Sequence, residues 1–220
     1  MTNTLDDPNV AHALQRMYRE SKEQMTALYE KHDALVTGAS TAQERADALS
    51  DFYLPVDPDA GRLLYALVRA SRPDTVVEFG MSLGISGIHL AAAVRDNGSG
   101  RVITTELSAA KVAAAKRTFA ETGLDDLITV LEGDALDTLQ TLDGPVGFAL
   151  LDGWKDLYTP VLKLLEPRLS PGALVVADNT EMPETQPYVD YVRDPANGYV
   201  SVSFPVRDSG RMEISCRASA

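Results

Sequence analysis

Five short apolar runs alternate with helix-length segments through the middle of the chain, and this alternation restricts the fold more than any other feature. TVVEF (75–79), RVITTE (101–106), LITVLE (127–132), the run Val146 to Leu151 and the run Ala173 to Ala177 are strand-sized. Helical segments are expected between them at 84–95, 108–122, about 135–141 and 155–168. A strand, a crossover helix and a second strand make parallel neighbours, so the pattern predicts an α/β chain with a parallel sheet and helices on both faces. Its strands then end on one edge, where open α/β sheets bind ligands. Near the C-terminus, YVSVSF (199–204) and RMEISCR (211–217) flank PVRDSG, a hairpin signal that closes the sheet with an antiparallel strand.

Extra helices are expected before the alternation begins. Asp7-Pro8 reads as an N-cap followed by proline at the first helical position. Leu14, Met17, Tyr18, Met25, Leu28 and Tyr29 then keep helical spacing to about Leu35, with a stop near Gly38. Thr41 and Glu44 form a capping box for a short second helix, and Asp57-Pro58 opens a third that Arg72-Pro73 ends. With 220 residues, 45% of them hydrophobic, the chain is read as one globular domain, an N-terminal helical extension (1–53) on a core (54–217).

A net charge of −12 argues against nucleic acid and anionic membrane as partners. Cys216 is the only cysteine, which fits a reducing compartment. The N-terminus MTNTLDDPNV lacks the pattern of a signal peptide, and no apolar run approaches the ~20 residues that cross a bilayer, so a cytoplasmic protein is expected. The apolar N-terminal helix is a route to a homodimer.

The chemistry-bearing residues fall at the strand ends. Asp152 ends one apolar run, Asp178 and Asn179 end the next, and Lys155 and Tyr158 follow the first. If these strands are parallel neighbours, two carboxylates and an amide oxygen converge beside an amine, a set suited to a hard divalent cation and a base. After TVVEF comes Gly80-Met81-Ser82-Leu83-Gly84-Ile85-Ser86-Gly87, whose GxxxGxxG spacing differs from the GxGxxG of dinucleotide enzymes. Glu78 lies near the end of that strand and Glu106 ends the next, where a carboxylate can accept from both ribose hydroxyls. Asp134, beyond the third strand, is placed to frame a base. These marks point to a nucleoside ligand without a diphosphate.

VVEFGMSLGIS (76–86), TTE (104–106), EGDA (132–135), LLDGWKDLY (150–158) and VVADNT (175–180) together resemble the catechol O-methyltransferase-like, S-adenosylmethionine-dependent methyltransferases, over roughly residues 54 to 217. LDGWKDLY followed some twenty residues later by ADN is the more specific part. The resemblance implies a Rossmann-like class I methyltransferase fold with a seven-stranded, mostly parallel sheet. It also implies transfer of a methyl group from S-adenosylmethionine to a hydroxyl of a small catechol-like molecule. Asp152, Asp178 and Asn179 would bind Mg²⁺ or another divalent cation, and Lys155 would be the general base. Trp154 and Pro183 would flank the substrate ring, with Lys155 and Asn179 also on the substrate. Glu78, Gly80 and Ser86 would contact the methionine end of the cofactor, Val56 would touch the cofactor through its backbone, Asp152 would also contact the cofactor, Glu106 would bind its ribose, and Asp134 with Ala135 would border its adenine. Gly153 departs from the bulkier residue of the mammalian catechol enzyme, and Met81 from the small or hydroxyl residue of many bacterial relatives. Glu181, Asp208 and Glu213 are the carboxylates considered for the second substrate hydroxyl. The competing readings are a nicotinamide-dependent oxidoreductase on a related fold, which the absent GxGxxG disfavours, a methyltransferase acting on a non-catechol molecule, and a non-catalytic binding module.

Overall fold

The computed structural model describes residues 3–37, 41–206 and 210–218; Gly38, the expected stop of the first helix, and Asp208 lie outside them. Seven strands form one sheet: β1 (Thr75–Phe79), β2 (Arg101–Glu106), β3 (Ile128–Glu132), β4 (Val146–Leu151), β5 (Leu169–Ala177), β6 (Tyr199–Pro205) and β7 (Arg211–Arg217), in the order β3-β2-β1-β4-β5-β7-β6. The first five are mutually parallel, and β7 runs antiparallel to both β5 and β6. The expected sheet, with its antiparallel closure, is therefore present. The order reverses between β1 and β4, the kind of switch point where ligands enter such sheets.

One face is covered by α1 (Pro8–Thr37), α3 (Pro58–Ser71), α4 (Ile85–Asn97) and α5 (Ala109–Thr122), the other by α6 (Ala135–Thr138), α7 (Tyr158–Leu165) and α8 (Gln186–Arg193). Helix α4 is buried on nearly every side because it lies between the sheet and α3. The approach there is close: a Cβ on Gly61 of α3 would sit 2.5 Å from the ring of His89 in α4. His89 is buried, pairs at 3.3 Å with the Tyr18 hydroxyl, and is pushed down to about 4 by burial, so it is a neutral core histidine.

The N-terminal helices are tied to this core. Asp96 of α4 accepts from the Thr4 amide (2.9 Å) and the Tyr65 hydroxyl (2.6 Å), and Arg16 of α1 forks onto Glu121 of α5 at 2.7 and 2.8 Å. A short α2 (Ala42–Ala48) opens with the Thr41–Glu44 capping box the sequence foretold. Two features differ from expectation. The segment 155–168 is a 3-10 turn (Lys155–Leu157), the short α7, and another 3-10 turn (Glu166–Arg168). Helix α8 was not anticipated, although Pro187 in its first turn is a helix-start signal and its buried Tyr188, Val189 and Val192 fall at helical spacing. Among the described residues no helix is long and apolar enough to cross a membrane.

Candidate active site

The sheet register brings the predicted residues to one edge. Phe79 pairs with Thr105 and Leu151, and Leu151 with Ala177. The ladder continues past the strand ends: the Asp152 amide donates to the Phe79 carbonyl (2.8 Å), the Asp178 amide to Leu151 (3.0 Å) and the Met81 amide to Thr105 (2.9 Å). Asp152 and Asp178 are thereby neighbours. Burial pushes the Asp152 carboxyl up to about 7; Lys155 opposes the shift and Asp178 adds to it.

Lys155 reaches back because the chain turns tightly after β4, the Leu157 amide donating to the Trp154 carbonyl at 3.0 Å. Its Nζ donates to Asp152 Oδ1 (3.1 Å) and to the Tyr158 hydroxyl (2.8 Å), which in turn donates to the Asp178 carbonyl (3.0 Å). Tyr158 is fully buried, edge-on to Phe79 and Tyr188. Besides packing there, its hydroxyl aims the lysine. Asn179 has φ +56, a left-handed conformation that asparagine tolerates better than most residues, as the chain leaves β5. The exposed Pro183 starts a 3-10 turn (Pro183–Thr185) that lies against the Lys155–Leu157 turn.

Glycine at 80 and 153 has a steric cause. A Cβ on Gly80 (φ +94) would lie 2.6 Å from the Gly153 backbone, and one on Gly153 would lie 2.5 Å from the Phe79 ring. The departure at Gly153 thus reflects the close passage of two strand ends under an aromatic ring, where a larger residue would overpack.

On the neighbouring strands, Glu106 is held by three backbone donors. Its Oε1 accepts from the Leu107 and Ser108 amides (both 2.9 Å) and its Oε2 from the Ser82 amide (2.8 Å). It links the end of β2 to the glycine-rich loop. Glu78 is one residue short of the β1 end and fully buried. Thr104 Oγ1 donates to its Oε2, while its Oε1 is buried without a hydrogen-bond partner among the described residues. Burial pushes this carboxyl up to about 7, with nearby hydroxyls opposing. Ser86, also buried, opens α4 above it. Asp134 caps α6 through the Leu136 amide (2.8 Å), next to the buried Ala135. A cleft of about 180 Å³ runs between Tyr53, Leu54 and Pro55 on one side and Met81, Ser82, Leu83, Ile85 and Ser86 on the other, with the buried Val56 just beyond.

Lys111 was missed. It is 3% exposed, its Nζ donates to Ser82 Oγ at 3.0 Å, and burial brings it down to about 8 with Glu106 opposing. The one hint in the sequence is a lysine in the first turn of a helix, where the dipole disfavours a cation. Two of the carboxylates considered for a second substrate hydroxyl are engaged elsewhere. Buried Glu213 forks onto Arg193 (2.7 Å twice), and Glu181 accepts from the Arg211 amide (2.9 Å).

The donor set at the β4 and β5 ends is two carboxylates and an amide, all with hard oxygens, and among the described residues no group of three or more His, Cys, Asp or Glu assembles for a metal. Oxygen ligands of this kind suit Mg²⁺ or Ca²⁺ better than a softer ion.

Residues 77–180 match a family described as a methyltransferase domain. The chain is 33% identical over 172 residues, 73% of its length and 70% of the relative's, to a protein of Mycobacterium tuberculosis described as a probable O-methyltransferase. It is 30% identical over 140 residues to catechol O-methyltransferase of Sus scrofa, covering 60% of this chain and 74% of that enzyme. Among solved structures, the O-methyltransferase TomG of Streptomyces achromogenes, in complex with SAM, superposes with a TM-score of 0.68 at 22% identity, covering 91% of this chain and 99% of that one. The chain belongs to the S-adenosylmethionine-dependent O-methyltransferase family.

Proposed function

We propose that the chain transfers a methyl group from S-adenosylmethionine to one hydroxyl of a small vicinal dihydroxy aromatic molecule, with Asp152, Asp178 and Asn179 holding Mg²⁺ or another divalent cation. The observation that carries this reading is the placement of Lys155 between Asp152 and the Tyr158–Asp178 pair. The catechol O-methyltransferase relatives support the substrate class.

Lys155 would take the proton of the attacking hydroxyl on Nζ while that oxygen forms its bond to the methyl carbon. The carbon–sulfur bond breaks with its electron pair passing to sulfur, giving S-adenosylhomocysteine. A cation held by Asp152, Asp178 and Asn179 would supply Lewis-acid stabilisation of the substrate phenolate. Trp154 and Pro183 would border the ring. The Gly80–Ser86 loop, Glu78 and Val56 would seat the methionine end, Glu106 the ribose, and Asp134 with Ala135 the adenine. In this reading residues 1–53 and the core act as one unit, because the Tyr53–Pro55 segment forms a wall of the cofactor cleft.

The test uses purified protein, methyl-labelled cofactor and a panel of catechols and monophenols, with Mg²⁺ or with chelator. Label should pass to catechols, stop with chelator and return with Mg²⁺. Transfer that ignores chelator would remove the metal from the reading, and transfer to monophenols alone would remove the catechol.

A further inference from the structure

Arg45 in α2 places its guanidinium 4.6 Å from the centroid of the Trp154 indole. Trp154 lies between Asp152 and Lys155 in sequence, so this contact sets a cation at the wall assigned to the substrate ring. Arg45 is half-buried and forms no ion pair among the described residues, in a chain with 32 acidic side chains against 20 Lys and Arg. Its position is not that of a loose surface arginine. The capping box starts α2 just before it, Ala46 and Leu49 beside it are buried, and Gln43 reaches the Leu107 carbonyl at the end of β2 (3.4 Å).

We propose that Arg45 is a specificity-determining residue that binds a carboxylate on the substrate ring, so that the preferred substrate is a dihydroxy aromatic acid. The inference rests on the methyltransferase reading above. A guanidinium lying on an aromatic face keeps its N–H edges for a planar anion, and a carboxylate matches that fork with two hydrogen bonds. An acidic substrate also needs such a cation here. It enters a protein of net charge −12 and must approach Asp152 and Asp178 with its hydroxyl end. A cation on the Trp154 wall would orient the molecule, its acid on Arg45 and its hydroxyls toward Asp152 and Asp178.

The test compares 3,4-dihydroxybenzoate with its uncharged amide, 3,4-dihydroxybenzamide, by labelled methyl transfer with wild type, Arg45→Lys and Arg45→Met. Methionine keeps much of the stem that packs on the indole, and S-adenosylhomocysteine affinity by calorimetry reports whether each variant is folded. Wild type should favour the acid in kcat/KM by roughly 10- to 100-fold, as expected for charge-assisted hydrogen bonds. Arg45→Met should bring the ratio near one, mainly through KM, and Arg45→Lys should retain part of it. Added salt should raise KM for the acid more than for the amide. A wild-type ratio near one, or a folded Arg45→Met that keeps the wild-type ratio, overturns the inference while the catechol reading stands. Failure to methylate either compound overturns both.

Discussion

Two carboxylates at adjacent ends of the same sheet are treated in opposite ways. Glu106 accepts from three backbone amides before any ligand arrives. Asp152 stands partly buried beside a second carboxylate and one lysine, and desolvation holds it well above the usual carboxylate range. The carboxylate at the β2 end is thus engaged by the fold itself, whereas the β4–β5 end brings two carboxylates together beside one lysine. A preorganised carboxylate suits reading neutral hydroxyls; two adjacent carboxylates suit a cation.

The sharpest way to break this contrast is Lys155→Met. If the β4–β5 end is the reaction centre and the β1–β2 end only binds cofactor, kcat should fall by ~10²–10⁴-fold while the S-adenosylhomocysteine Kd changes little. Near-normal turnover would remove Lys155 as the base. Glu106→Gln should do the converse, raising that Kd by roughly 10–100-fold and costing about 1–3 kcal/mol in a urea melt, because three amide donors lose a charged acceptor. An unchanged Kd would mean that Glu106 only ties the loop to β2.

Glu78 gives the smallest effect and a signed pH dependence. Its carboxyl takes up a proton near 7 in the native state, and near 4.5 when unfolded. Between those values the folded chain binds more protons, so this residue's contribution falls as pH rises from 4.5 to 7 and its penalty is complete above 7. Glu78→Gln should therefore stabilise the protein at pH 8 by about 1–3 kcal/mol relative to its effect at pH 5, read from urea midpoints, while weakening cofactor binding. A pH-independent effect on the midpoint would show that Glu78 is charged in both states.

Much of the fold was legible because it rests on local periodicity. The β1–β5 alternation, the Asp57-Pro58 start of α3 and the Thr41–Glu44 box depend on residues a few positions apart. What escaped depends on contacts across the chain. Lys111 looks like a solvated helix residue until α5 turns it under Ser82, and Arg45 looks like a surface charge until α2 lays it on Trp154, 109 positions later in the numbering. Glu213 read as a candidate acid until Arg193 of the unanticipated α8 paired with it.

The sequence by itself determined the strand-to-helix alternation, and with it the single edge where Glu106, Asp152, Lys155, Asp178 and Asn179 gather, because period and spacing are local properties. Only the tertiary structure decided the rest: which carboxylate is saturated, that Tyr158 aims the lysine, that Gly153 has no room for a side chain under Phe79, and that a cation from the N-terminal extension lies on the indole. Burial, desolvation and hydrogen-bond partners are set by residues distant in sequence, and they exist only once the layers have packed.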